Sequence, residues 1–392
     1  MSRAFFRPLP ALILGQISLH STMTGVRLAA PLQALHEGRS AWSVGVLLAL
    51  FALAPVALAI PGGRLADRLG YHRPLRLAAA LAVAGAALAA AANGQYLMLC
   101  LAAMLCGCGA NLGLIVVQRS AGRAAADATQ RLQVFSWLGM GPALSNLFGP
   151  VLAGMLIDLA GFRVAFAALA MLPGLALAVA RLVPVEAARP AAASAADAPA
   201  RHVWDLLGQA PVRRLLFLNW LLSSSWDAHN FVVPILGHQR GFDATTIGLV
   251  LGTFSAAVAA VRLIIPVLAH RVTERQVLVG ATLCTSCILV AYPFVSSAWA
   301  MMVCAALLGL PLGSVQPMVL SLLHEMTPED RHGEVIALRS MSLSLSSSVM
   351  PLCFGVLGAA LGASALFWLM GAAVGAGSLQ AFRVPARTPV RT

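Results

Sequence analysis

Ionisable side chains are scarce inside the long apolar runs of this sequence, and the few that occur there are the first places to look for chemistry. Arg27, Asp227, Arg262 and Arg339, with His20 and His229, all lie well within such runs. A charged side chain at the centre of a lipid-embedded helix costs about 2.5–3.5 kcal/mol on insertion scales, so each needs a partner or a task. At 100° per residue, Gln16, His20, Thr24 and Arg27 fall within an arc of roughly 80° and form one polar face. A shift of 203 positions sends these four to Asn219, Ser223, Asp227 and Asn230, which are polar as well. Arg339, Ser342 and Ser346 mark a shorter stripe, and Asn146 and Trp226 are either cavity-lining or packing residues. Polar groups facing lipid cannot be satisfied, so these faces either line a water-filled cavity or tie helices together by hydrogen bonds. Arg262 and Arg339 lie within a few turns of a span end, where snorkelling to the surface is the alternative. Asp227 is the leading carboxylate for proton uptake, and Arg27, one turn beyond its repeat partner Thr24, is expected to pair with it in one conformational state.

Other chemistries find little support. The seven cysteines lie within apolar runs, and Cys284 and Cys287 form a C-x-x-C with no second pair or histidine nearby, so neither a disulfide framework nor a metal site is implied. No clustered carboxylates of the kind an enzyme gathers and no G-x-x-x-x-G-K-[ST] phosphate loop appear. The expectation is a protein without cofactor or metal that is not an enzyme.

The elements that must hold these residues follow from composition. Of 392 residues 59% are hydrophobic and 10% charged, with a mean hydropathy of +0.85, so the surrounding solvent is a lipid bilayer. Spans are expected near residues 9–33, 42–61, 76–93, 96–118, 132–158, 162–182, 213–236, 244–269, 276–296, 298–323, 334–360 and 362–382. The net charge of +12 is not a nucleic-acid signal, because the arginines sit between spans rather than on one patch. They gather on alternate connections, leaving only Arg39, Arg163 and Arg240 on the other side; the positive-inside rule then puts both termini in the cytoplasm of a bacterial inner membrane. No compact signal peptide interrupts this pattern. The Ala- and Pro-rich stretch 183–212 reads as a cytoplasmic linker between six-helix bundles at 1–182 and 213–392. The 203-residue shift supports that division, aligning Pro31 with Pro234, Gly45 with Gly248 and Phe51 with Phe254.

Two short segments resemble a known family. Gly63-Arg64-Leu65-Ala66-Asp67-Arg68-Leu69-Gly70-Tyr71-His72-Arg73, after the second span, is similar to the G-x-L-A-D-R-x-G-R-K signature of the major facilitator superfamily, departing from it at Tyr71 and His72. Gly149-Pro150-Val151-Leu152-Ala153-Gly154 in the fifth span resembles the G-P-x-x-G-G motif of that family's exporters, with Ala153 replacing a glycine. The resemblance implies an all-α integral membrane fold of twelve helices in two repeated bundles. It also implies that Gly63, Asp67, Arg68, Gly70 and Arg73 form a conformational gate. The fourth-span arginine and first-span carboxylate usual in proton-driven drug exporters have no counterpart here. The leading expectation is a monomeric secondary transporter, most simply an exporter of small organic or amphiphilic compounds by alternating access, with protons as the candidate coupling ion. Uptake of an organic anion and a non-transporting receptor are the alternatives, the first because Arg27, Arg262 and Arg339 face only Asp227 as an intramembrane carboxylate.

Overall fold

The computed structural model describes residues 9–124, 128–184, 203–268, 273–327 and 332–384, and its regular elements there are all helical. In chain order they are α1 (Leu9–His36), α2 (Ala41–Leu69), α3 (His72–Ala91) and α4 (Tyr96–Ala124). The continuous stretch Ala128–Ala180 is broken at Gly161 (φ 80°, ψ 171°), which divides it into α5 (128–160) and α6 (162–180). A side chain at that φ would be strained, so glycine is what permits so tight a reversal. Then come α7 (Ala210–Gln239), α8 (Ala244–Leu268), α9 (Glu274–Ala291), α10 (Ala298–Met326), α11 (His332–Leu361) and α12 (Ala363–Phe382). Most of the expected linker, 185–202, lies outside the described residues, and a 3₁₀ turn at Val203–Gly208 leads into α7.

Eight helical stretches among the described residues are long and apolar enough to cross a membrane, and one of them, Met140–Ala180, covers parts of both α5 and α6. α1 and α7 fall outside that set because of their polar faces: each spends several positions on Gln, Asn, Ser, Thr, His or a charge. Amphipathic spans of this kind are stable only where protein or water, not lipid, covers the polar side.

The chain forms two compact units, one of residues 1–196 with 237–252 and the other of 197–236 with 253–392. In the first, Leu12, Leu19, Tyr71, Leu75, Ala78, Val116 and Ala176 make a buried core from α1, α3, α4 and α6. Small residues bring backbones together: a Cβ on Gly109 would lie 2.7 Å from the Ala78 carbonyl oxygen and one on Gly85 2.9 Å from that of Ala102. In the second, the Ser286 hydroxyl donates to the Gly371 carbonyl (2.7 Å), joining α9 to α12. Each unit repeats one close approach. Gly107 of α4 packs on the Phe51 carbonyl of α2, and Gly309 of α10 packs on the Phe254 carbonyl of α8. Phe51 and Phe254 are a pair that the 203-residue shift superimposes, so the sequence repeat corresponds to a repeated packing contact.

Candidate functional site

In the first unit, the polar face of α1 divides into committed and uncommitted groups. Thr24 donates to the Ser145 carbonyl of α5 (2.8 Å) and Thr22 to the Leu169 carbonyl of α6 (3.0 Å). Both therefore serve the seams that α1 makes with its neighbours. The Ser145 hydroxyl donates to the Gly141 carbonyl (2.8 Å), and Asn146 turns its amide onto the Pro142 carbonyl of its own helix (2.8 Å). Gln16 is buried, and its amide forms no hydrogen bond among the described residues. His20 and Arg27 are half-buried.

In the second unit, α7 meets α10 and α11 through two hydrogen-bonded chains. Gln316 of α10 donates to the Ser223 hydroxyl (3.3 Å) and accepts from the Arg339 guanidinium of α11. One turn further along α7, the Ser346 hydroxyl of α11 donates to the buried Asp227 carboxylate (2.9 Å) and lies 3.1 Å from the Ser224 hydroxyl. Ser223, Asp227 and Arg339 are thus gathered on one face. The apolar side of the same helix is aromatic: Phe254 stacks on His229 (4.5 Å between centroids) and meets Trp226 edge-on (4.7 Å), while Tyr292 reaches His229 Nε2 (3.4 Å). Asn230 donates to the Trp226 carbonyl of its own helix (3.1 Å). Asn219 is fully buried with neither amide atom hydrogen-bonded among the described residues, as for its repeat partner Gln16. Arg262 stands apart, exposed on α8 and outside these chains.

Gln316 and Ser224 escape a search for charges at span depth, although a lone amide between Pro311 and Pro317 was a usable signal. Among the described residues no group of His, Cys, Asp or Glu is placed to hold a metal ion. The thiols are free, with Cys284 and Cys287 exposed on α9. The arrangement can donate hydrogen bonds to an anionic or polar ligand and hold a carboxylate beside them.

At the α2–α3 turn, Gly70 (φ 71°, ψ −151°) ends α2, its N–H donating to the Ala66 carbonyl (3.0 Å). Gly63 is half-buried and Arg68 and Arg73 are exposed, whereas the Asp67 side chain lies outside the described residues. The two departures from the signature have local roles. Tyr71 is buried in the core of the first unit, and His72 Nε2 lies 3.2 Å from the Ala180 carbonyl of α6. In the Gly149–Gly154 segment of α5 a Cβ on Gly149 would overlap the Thr24 hydroxyl of α1, and one on Gly154 would overlap the Ala244 carbonyl at the start of α8. Pro150 and Gly248 meet in the same seam, where a Gly248 Cβ would lie 2.5 Å from the Pro150 carbonyl oxygen.

The family model for the Major Facilitator Superfamily matches residues 12–225 and 215–392. The chain belongs to the major facilitator superfamily. It is accordingly a multi-pass membrane transporter and not an enzyme. Among solved structures it is similar to a POT family transporter in complex with a thioalcohol-conjugated peptide, at 14% identity and a TM-score of 0.74 over 95% of each chain. It is similar also to a POT family transporter in complex with 5-aminolevulinic acid, at 14% identity and a TM-score of 0.75 over 95% of each chain. At that identity these likenesses concern the fold. No curated protein matches the sequence.

Proposed function

We propose that this transporter is a secondary active exporter of small organic or amphiphilic compounds, working as a monomer by alternating access in a bacterial inner membrane, with both termini and the 183–212 segment cytoplasmic. Substrate contacts are assigned to the polar face of α1, with His20 and Arg27, and to the α7–α11 face of Ser223, Asp227 and Arg339. The observation that carries the direction of transport is the Gly149-Pro150-Gly154 segment. Its small residues let α5 approach α1 and α8 at backbone distance, and close, side-chain-free seams are where helices can bend or slide at little steric cost. The decisive experiment is substrate accumulation in membrane vesicles of opposite orientation. Energised everted vesicles are expected to accumulate a fluorescent amphiphile when they contain the protein; accumulation confined to right-side-out vesicles would reverse the assignment.

Uptake of an organic anion is the second reading, favoured by the Arg339–Gln316–Ser223 donor chain, which suits a carboxylate. One of the similar transporters is in complex with an acid, 5-aminolevulinic acid. The same vesicles loaded with radiolabelled small carboxylic acids separate the two readings by direction and by substrate.

A further inference from the structure

We propose that Asp158, at the end of α5, and the first turn of α8 form a conformational latch that closes one end of the transport path. The proposal deepens the alternating-access reading and rests on it. A helix begins with four N–H groups that have no partner within the helix. The first intrahelical bond of α8 runs from the Ile247 N–H to the carbonyl of its cap, Asp243 (3.2 Å), so these groups include Ala244, Thr245 and Thr246. The Asp243 carboxylate accepts from Thr246 (2.7 Å). The first two are completed from elsewhere: Ala244 donates to Asp158 Oδ1 (3.0 Å) and Thr245 to Asp158 Oδ2 (2.6 Å). One carboxylate from the first sequence half thus caps a helix of the second, with its negative charge at the positive end of the helix dipole.

The contact is built for close approach yet remains open to water. Gly154, one turn before Asp158, has no side chain to hold α5 off the Ala244 carbonyl, whereas Asp158 itself is exposed. When the contact parts, water can take over the carboxylate and both N–H groups, so release leaves nothing buried and unsatisfied. The first two turns of α8 go with α5: residues 237–252 belong to the first unit and residues from Thr253 onward to the second. A transporter that alternates access must release such an attachment in one of its states.

The sequence around Asp158 repeats the gate segment. A shift of 91 positions aligns Gly63, Leu65, Asp67 and Gly70 with Gly154, Leu156, Asp158 and Gly161, and Tyr71 with Phe162. The same shift lays α1, α2 and α3 over α4, α5 and α6. Gly70 and Gly161 also share a backbone conformation, with φ of 71° and 80°. Three helices, α3, α4 and α5, separate the two segments, so they lie at opposite ends of the bundle. One end carries Asp67 among Arg64, Arg68 and Arg73, and the other carries Asp158, bonded to a helix terminus.

The test needs no substrate, so its failure is distinguishable from failure of the transport reading. With the seven native cysteines replaced by alanine, spin labels at Leu97→Cys and Trp299→Cys, both exposed and in the first turns of α4 and α10, report the opening of this end by pulsed electron resonance. Asp158→Asn retains one acceptor but loses the charge and the second, and is expected to raise the ratio of long- to short-distance populations about 2- to 30-fold. Thr245→Pro deletes one donor in the first helical turn, where proline is tolerated. It is expected to shift the ratio in the same direction, and it serves as the test if Asp158→Asn does not fold. Asp243→Asn weakens the helix's own cap without touching α5, and is expected to leave the ratio unchanged. Unaltered distributions in both Asp158→Asn and Thr245→Pro overturn the latch, and so does an equal shift in Asp243→Asn, which would reduce Asp158 to an ordinary cap.

Discussion

Asp227 combines burial, a hydroxyl donor from Ser346 and a place on the face that Ser223 and Arg339 share. A buried carboxylate must keep partners in every state of the cycle, so a change of neighbours on this face changes what Asp227 holds. Asn at this position still accepts the Ser346 hydroxyl but holds no charge and no exchangeable proton. Asp227→Asn is therefore expected to insert and fold normally while transport in proteoliposomes falls about 10- to 100-fold, the value of one charged hydrogen bond, and loses its pH dependence. Arg27→Ala is expected to lower transport likewise. If Asp227→Asn kept full, pH-dependent transport, Asp227 would be a packing residue and the coupling group would lie elsewhere.

α5 is the element on which the first unit turns. Its Gly149 admits the Thr24 hydroxyl of α1, and that hydroxyl then bonds the carbonyl of Ser145 one turn earlier. A branched side chain at 149 would push α1 away and break this bond at once. Overpacking of a tight seam costs about 1–3 kcal/mol, and loss of the hydroxyl's bond to α5, which leaves it only the Ser21 carbonyl of its own helix, adds about 0.5–1.5 kcal/mol. Gly149→Val is expected to lower the melting temperature in detergent by several degrees and to abolish transport, whereas Phe148→Ala, at an exposed neighbouring position, is expected to do neither. Equal melting temperatures for Gly149→Val and the parent would mean that α1 and α5 are not held at backbone distance. Ser145 belongs to the same arrangement: its hydroxyl returns to Gly141 on its own helix, leaving its carbonyl to Thr24.

At the scale of the whole molecule, topology and gating are tested together. A cysteine at Ala195, in the 183–212 segment, is expected to react with an impermeant maleimide only from the cytoplasmic side; labelling from outside would invert the topology. Asp67→Asn is expected to leave expression and melting temperature unchanged and to slow transport several-fold, because a charge in a gate biases the equilibrium between states by its differential interaction with them. Wild-type transport rates in that variant would leave the segment Gly63–Arg73 as a solvated, arginine-rich turn.

Much of this protein is legible without coordinates. Lipid imposes a local rule on each span, about 20 apolar residues with every backbone group satisfied inside its own helix, so the spans and the polar faces of α1 and α7 are written in contiguous stretches. The 203-residue shift that pairs Phe51 with Phe254 is likewise a property of the letters alone. What each polar residue does is not local. Thr24 shares a face with His20 and Arg27, but its hydroxyl belongs to α5, 121 positions away. Asp227 and Ser346 are 119 positions apart, and their bond depends on how α7 packs against α11. Asp158 sits at a span end, where an isolated carboxylate reads as solvated surface, and its partners Ala244 and Thr245 lie 86 and 87 positions on, beyond the linker. Helical periodicity carries no information about which terminus arrives beside which carboxylate; only tertiary packing, with glycines clearing the approach, decides that.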